Sequence, residues 1–380
     1  MLDSADQPRP TGLSMLVRRL TQPSPWWLWL IFFIGATSLF AWYRLEKSYP
    51  LFDTYPLYFG AKAWLANGNA YNLDPAVDPT TFGYYTKQGV FETPFAGGMH
   101  QAGNGYPLPA NWLFIPLSFL TPRMHSIIWV IGLFASCLVA LRWAKLPPWI
   151  MLSFPVLDGL RMEQFTIFIV LMQIIALGAW NLPQTHRRRA LILAFASALM
   201  LLKPSHGLVT GLAILGYLLY QRQWWPLLIS YGLIWGLPTI VDWNWPLEWL
   251  QALQVYNQSF EERFTPWWLL LFVFIFWRQR DYLACLTVSQ LALVPYTWIY
   301  SNSSLLLSWA ASPWCLGLSL LTWCITPIQV LLIDRMSVLD SQLFVCICLI
   351  IVPMIVLSRY RQTNGVERIP STPLNSSDAS

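Results

Sequence analysis

Leu51–Tyr71, LFDTYPLYFGAKAWLANGNAY, is a polar and aromatic stretch containing Asp53, and it follows closely on Trp26–Tyr43, WWLWLIFFIGATSLFAWY. Those eighteen uncharged residues are close to the roughly 20 that a helix needs to cross the hydrocarbon of a bilayer. Arg9, Arg18 and Arg19 precede them, and basic residues stay on the cytoplasmic side. No short apolar core with an early small-residue cleavage site is evident, so the run is expected to be an uncleaved first span and residues 1–25 a cytoplasmic segment. Its far end, and Asp53 with it, then stands at the outer surface. The remainder of the chain is expected to be a membrane scaffold holding Asp53 there.

Composition agrees. Of 380 residues, 56% are hydrophobic and only 11% charged, with a mean hydropathy of +0.47. That is too little polar material to cover a water-soluble globule of this size. The expected fold class is an all-α polytopic membrane protein over residues 26–358. The 23 Trp and 28 Pro suit many helix ends at headgroup level. The net charge of +5 comes from short basic clusters, which suit anionic inner-leaflet lipid and give no support to a nucleic-acid partner. All six cysteines, 137, 285, 315, 324, 346 and 348, fall in apolar runs and read as small buried hydrophobes. Cys346 and Cys348, two apart, would point away from each other on a helix and make a poor zinc pair.

Past the first span, residues 44–106 form an external loop of about sixty residues, too long for a simple turn. Within it Leu57, Tyr58, Ala61, Trp64 and Leu65 recur at helical spacing over 54–65, which predicts a short helix lying in the interface. Asn67-Gly68-Asn69 stops it. From Asp74 to Gly105 the chain reads as irregular loop. Apolar segments follow at 111–120 (short), 126–141, 149–157 (short) and 165–182, the last ending at His186 and Arg187–Arg189. If Arg18-Arg19 and Arg187–Arg189 are both cytoplasmic, an even number of crossings separates them, whereas five apolar segments lie between. One of the short segments, 111–120 or 149–157, is therefore expected not to cross, which requires cover for its freed backbone groups.

Further spans are expected at 190–202, 207–220, 224–241 and 266–277, with a second external loop at 242–265. Residues 282–333 carry no charge and allow three more. A last span at 341–357 leaves a disordered cytoplasmic tail, 359–380. The expectation is about eleven to thirteen transmembrane or re-entrant helices. No internal repeat is evident, which speaks against a transporter.

Few residues suit chemistry. Asp53 reads either as the N-cap of the interfacial helix or as a general base whose pKa is raised at an apolar rim. Lys203-Pro204 closes an apolar helix at its outer end; Lys203 is either a snorkelling anchor or a fixed cation for a phosphate. His206, one turn on, either assists or caps. Asp158, Arg161, Glu163 and Gln164 open a span, paired with one another or binding a sugar or phosphate. Glu248, Glu261 and Glu262 read as a solvated face. There is no phosphate-cradling glycine loop, zinc spacing or Ser/His/Asp arrangement.

In order, Asp53 with Tyr58 and the Gly68–Tyr71 turn, Tyr106-Pro107 with Pro109 and Pro116-Leu117, Gln164 heading a span, Lys203-Pro204, and Pro295-Tyr296 with Tyr300 resemble the GT-C type membrane glycosyltransferases. The nearest likeness is to glycosyltransferase family 87, the polyprenyl-phosphate-mannose-dependent mannosyltransferase-like proteins. The likeness covers residues 51 to about 307. It implies a multi-pass enzyme of the cell inner membrane with its site on the outer face. Such an enzyme moves a sugar, mannose or a similar hexose or pentose, from a polyprenyl-phosphate donor to a lipid or glycan acceptor, with inversion. Asp53 would be the base, Lys203 would hold the leaving phosphate, and Tyr58, Tyr106, Gln164, His206 and Tyr300 would line the substrates. The resemblance implies no nucleotide cofactor. Two positions depart from the family: Glu163 stands where Gly usually precedes the Gln, and Asn302 where an acid or His usually follows the late Tyr. The competing readings are a flippase or transporter of lipid-linked saccharide and an inactive assembly partner.

Overall fold

The computed structural model describes residues 54–71, 104–184, 186–258, 267–278, 282–293, 302–308, 310 and 315–323. It also describes residues 30, 34, 35 and 38 of the first apolar run, all helical, and the pairs 84–85 and 91–92. The described chain is mostly helical. Tyr84–Tyr85 (β1) and Phe91–Glu92 (β2) pair antiparallel as a two-residue ladder inside the expected irregular loop.

The helix expected near residue 54 is present as α1, Tyr55–Asn67, with Pro56 in its first turn. It ends at Gly68, which takes φ +74° and returns its N–H to the Trp64 carbonyl at 2.8 Å, a turn that costs glycine nothing. Two details differ from expectation. The helix is sunk into the protein: Leu57, Tyr58 and Ala61 are fully buried and Phe59 nearly so, while Leu65 is 45% exposed. Gly60 makes this depth possible, because a Cβ there would collide with the side chains of Asn104 and Asn111. The N-cap position falls on Thr54, not Asp53, and the Thr54 hydroxyl makes no capping bond.

The bundle comprises α2 (Leu108–Ser118), α3 (Pro122–Trp143), α4 (Phe154–Arg161, after a 3₁₀ turn at Pro148–Leu152), α5 (Phe165–Trp180), α6 (Arg187–Met200), α7 (Pro204–Tyr220) and α8 (Trp224–Val241). It continues through α9 (Trp245–Gln258), α10 (Leu270–Arg278), α11 (Tyr282–Leu293) and α12 (Ser303–Ser308), with a further helical stretch at 315–323. α3 and α8 are long and apolar enough to cross a membrane; 22 residues make α3 about 33 Å long. α8 contains a π-helical turn at Gly232–Gly236. There Trp235 reaches across to donate its indole N–H to the Ala198 carbonyl at 3.0 Å.

Contacts at the helix ends give the directions. Ser126, at the start of α3, donates to Glu163 just before α5, and at the other end a Cβ on Gly178 would run into the Trp143 indole. Thus α3 and α5 run parallel, and residues 144–164 return between them as the 3₁₀ turn and α4. α6 comes back antiparallel, with Arg189 5.1 Å from the Trp180 ring at one end and Lys203 beside Gln164 at the other. α7 reverses again, so that Tyr217 lies against Trp180.

α2 behaves differently. Tyr106, just before it, packs edge-on to Phe165 at 5.7 Å, and Ser126, eight residues after it, bonds Glu163. Both ends of α2 therefore sit beside the same end of α5, and of the two short segments, the one at 111–120 is the one that does not pass to the other end of the bundle. Its freed groups are covered: Asn111 donates to the Pro107 carbonyl at 3.3 Å and accepts from Asn104 at 2.9 Å.

The second polar loop is also more ordered than expected, because α9 occupies most of it. Trp245, Trp249, Ala252 and Leu253 recur at i, i+4, i+7 and i+8 and turn inward, leaving Leu247 and Leu250 exposed. Trp249 donates to the Gly105 carbonyl at 3.0 Å and Trp245 to Thr239 at 3.0 Å, so α9 closes over the place where α1 ends and α2 begins. The first span apart from its four helical residues, the last span at 341–357, the residues 1–25 and the tail 359–380 lie outside the described residues.

Candidate functional site

The residues singled out in sequence gather at this end of the bundle. α4 ends in a Schellman motif: the Gln164 N–H reaches the Gly159 carbonyl at 2.7 Å and the Glu163 N–H the Leu160 carbonyl at 3.1 Å. Such a motif needs a left-handed residue, and Glu163 supplies it with φ +56°. A glycine would adopt this conformation without strain. In this chain a side chain is present there and is put to use. Glu163 is 1% exposed, and its two carboxylate oxygens accept from the Thr54 hydroxyl at 2.9 Å and the Ser126 hydroxyl at 2.5 Å. The carboxylate therefore ties the start of α1 to the starts of α3 and α5.

The same turn aims Gln164, 2% exposed, at Lys203, whose ammonium donates to the Gln164 side-chain oxygen at 3.1 Å. The Lys203 nitrogen also lies 5.6 Å from the centre of the Tyr106 ring, a cation–π contact. Lys203 is half-buried at the junction of α6 and α7. The junction is held from α11 by Gln290, which accepts from the Val209 N–H at 2.6 Å and donates to the Pro204 and Ser205 carbonyls at 3.2 and 3.0 Å. Gly207 lets the two helices close: a Cβ there would strike the Met200 backbone carbonyl.

Comparison with protein-family models, with curated proteins and with solved structures returned no match. What the site can do must come from its own side chains.

Of the expected site residues, Tyr106, Gln164 and Lys203 are in mutual contact. His206 is buried one turn beyond Lys203, with its ring Nδ1 2.8 Å from the Ser205 hydroxyl. Tyr58 is fully buried, and its hydroxyl donates to the Leu120 carbonyl at 2.7 Å, with the ring edge-on to His125 at 4.9 Å. Burial pushes its pKa up to about 12. That arrangement makes Tyr58 a tie between α1 and the turn after α2. Asp53 and Tyr300 lie outside the described residues; Thr54, the residue after Asp53, is anchored to Glu163. Asp158 and Arg161 pair with each other at 2.7 Å, as one of the sequence alternatives had it. Asn302 is buried. Among the described residues no three His, Cys, Asp or Glu side chains converge as a metal ion would need.

Sequence reasoning passed over Glu163 as an anchor, the Asn104–Asn111 pair and Gln290. The signal for the first was present, as an acid at the head of an otherwise apolar run. The other two are single amides in apolar or loop sequence, and nothing local distinguishes them.

Proposed function

We propose that the chain is a polytopic membrane glycosyltransferase that takes a sugar from a polyprenyl-phosphate donor and passes it to an acceptor hydroxyl at the outer face. The observation that carries this reading is the Lys203 ammonium, fixed by Gln164 and Tyr106 at the end of the bundle where the chain around Asp53 is tied down by Thr54. A membrane setting is supported by outward-facing apolar side chains. Trp225 and Ile240 of α8 are 76% and 81% exposed, and Leu271 and Phe274 of α10 are 67% and 75% exposed, surface that water would not tolerate in such quantity. The basic residues Arg142, Lys145, Arg187–Arg189 and Arg222 collect at the end remote from Lys203, as cytoplasmic positions do.

In the reaction, the acceptor O–H gives its proton to the Asp53 carboxylate as its oxygen bonds to the anomeric carbon. The bond from that carbon to the phosphate oxygen breaks on the opposite face, and the electron pair leaves on the phosphate. Lys203 meets the charge that develops there. Gln164 keeps the ammonium in place, and Tyr106 gives it an apolar, electron-rich face. The leaving group already carries phosphate, so no nucleotide-binding loop is called for.

The test is transfer from a polyprenyl-phosphate sugar by the purified protein in lipid. Asp53→Asn is expected to lower the rate by about 10²–10⁴-fold. Undiminished transfer by that variant removes Asp53 as the base. Absence of transfer with every donor tried, together with passage of lipid-linked saccharide across vesicles, replaces the reading with a flippase.

A further inference from the structure

Beside the Lys203 site, α9 lies against the end of α1 and the start of α2, and the contact is made almost wholly of aromatic rings. Trp64 and Trp112 stand 4.9 Å apart, Trp245 and Trp249 6.0 Å apart, and Tyr71 packs on the same cluster. Trp64, Trp112 and Trp249 are only half-buried. Two polar atoms in this cluster are cut off from solvent with no hydrogen-bond partner among the described residues, the Trp112 indole nitrogen and Oε2 of Glu248; the Tyr71 hydroxyl is buried beside them against the Leu108 backbone. Buried polar groups are ordinarily paired, and two orphans in one cluster need an explanation. One is a donor and one an acceptor, with a hydroxyl beside them. Together with flat apolar ring faces they match the needs of a pyranose, which offers C–H faces for stacking and hydroxyls that both give and accept.

The geometry points to a saccharide-binding subsite at this junction, with indole faces as its platform and Tyr71, Trp112 and Glu248 as its polar contacts. Charge narrows the class. Glu248 and Asp242 both act on the Tyr71 hydroxyl, and Asp242 also acts on Glu248. Two carboxylates disfavour a uronic acid and admit a neutral sugar. The subsite adjoins the proposed catalytic end through one turn of chain: Trp249 bonds the carbonyl of Gly105, the residue before Tyr106. Resting on the transferase reading, the saccharide held here is the acceptor, a glycan in preference to a bare lipid alcohol.

Saturation-transfer NMR on the full chain in lipid nanodiscs tests the subsite without requiring turnover. Mannotriose and maltotriose serve as neutral probes and trigalacturonate as the anionic one. Transfer to a neutral trisaccharide and little to trigalacturonate is expected. Trp112→Phe and Glu248→Gln should each weaken neutral binding by about tenfold, and Glu248→Gln should narrow the gap to the anionic probe. If either variant does not fold, Tyr71→Phe, which removes only the buried hydroxyl, takes its place. No signal with either neutral probe at about 10 mM, or wild-type affinity in the folded variants, overturns the subsite. Binding without transfer of any sugar leaves the subsite standing and removes the transferase reading. Transfer with an unchanged acceptor KM in these variants does the reverse.

Discussion

The Thr54 hydroxyl donates to Oε2 of Glu163 at 2.9 Å across 109 residues of sequence. This bond joins the segment around Asp53 to the turn that aims Gln164 at Lys203. Both partners are buried. The acceptor sits in a backbone conformation that a glutamate adopts at a cost of about 1 kcal/mol relative to glycine.

Two opposing terms meet at position 163 and can be separated. Glu163→Ala leaves two buried hydroxyls without their acceptor, about 1–3 kcal/mol, and keeps the left-handed strain. Glu163→Gly loses the same bonds and relieves the strain. Thermal midpoints in lipid are expected to fall in the order wild type, Glu163→Gly, Glu163→Ala. Alanine ranking above glycine would contradict the role given to the φ of +56°.

Lys203 is predicted to act on the donor phosphate. Lys203→Gln should lower transfer by about 10–100-fold, with a fall in kcat beside any rise in donor KM, the size of a lost charge-assisted bond. Lys203→Arg should retain part of the activity. Steady-state kinetics with donor varied at saturating acceptor will read this, and equal losses for Gln and Arg would argue against a role for the charge.

Glycines 207 and 216 lie on the same helix with opposite surroundings. Gly207→Ala forces a Cβ against the Met200 carbonyl, an overpacking expected to cost about 1–3 kcal/mol or to prevent folding. Gly216→Ala meets nothing within 4 Å and should stabilise α7 by up to about 1 kcal/mol. Folded yield and thermal midpoint measured side by side will show whether α6 and α7 close as described.

Glu248 sets a pH dependence. Its pKa is raised from 4.5 by burial and then by the charge of Asp242. The folded state therefore holds this proton to higher pH than the unfolded chain does. Stability contributed by Glu248 is present below the ordinary value and lost as pH rises through the folded one. Glu248→Gln, uncharged throughout, should flatten the fall in thermal midpoint upward from pH 4.5. A variant that declines as steeply as the wild type would place that titration elsewhere.

Much of the architecture was legible from local pattern. The runs at 126–141, 165–182 and 190–202 became α3, α5 and α6 with small shifts of boundary, because uninterrupted apolar sequence between Pro, Gly and basic residues is a local signal. The stop at Gly68 was legible for the same reason. The interior of the loop at 242–265 was not: the inward stripe of α9 is mixed with Glu248 and four amides, and only packing shows which face is inside. Of the site, Lys203, Gln164 and Tyr106 were visible as candidates through their order along the chain. Tyr58 was a candidate as well, and the structure gives its hydroxyl to Leu120.

By itself, then, the sequence determined the helical, apolar character of this protein, the positions of most of its helices and a short set of polar residues rare enough in such a chain to count. Those properties depend on neighbours within one or two turns. Tertiary structure alone decided that α2 stays at one end of the bundle, that Glu163 holds Thr54, and that Tyr71, Trp112 and Glu248 meet. Each of these depends on contacts between residues tens to more than a hundred positions apart, where close packing and the pairing of buried polar groups select the partners and no local pattern encodes them.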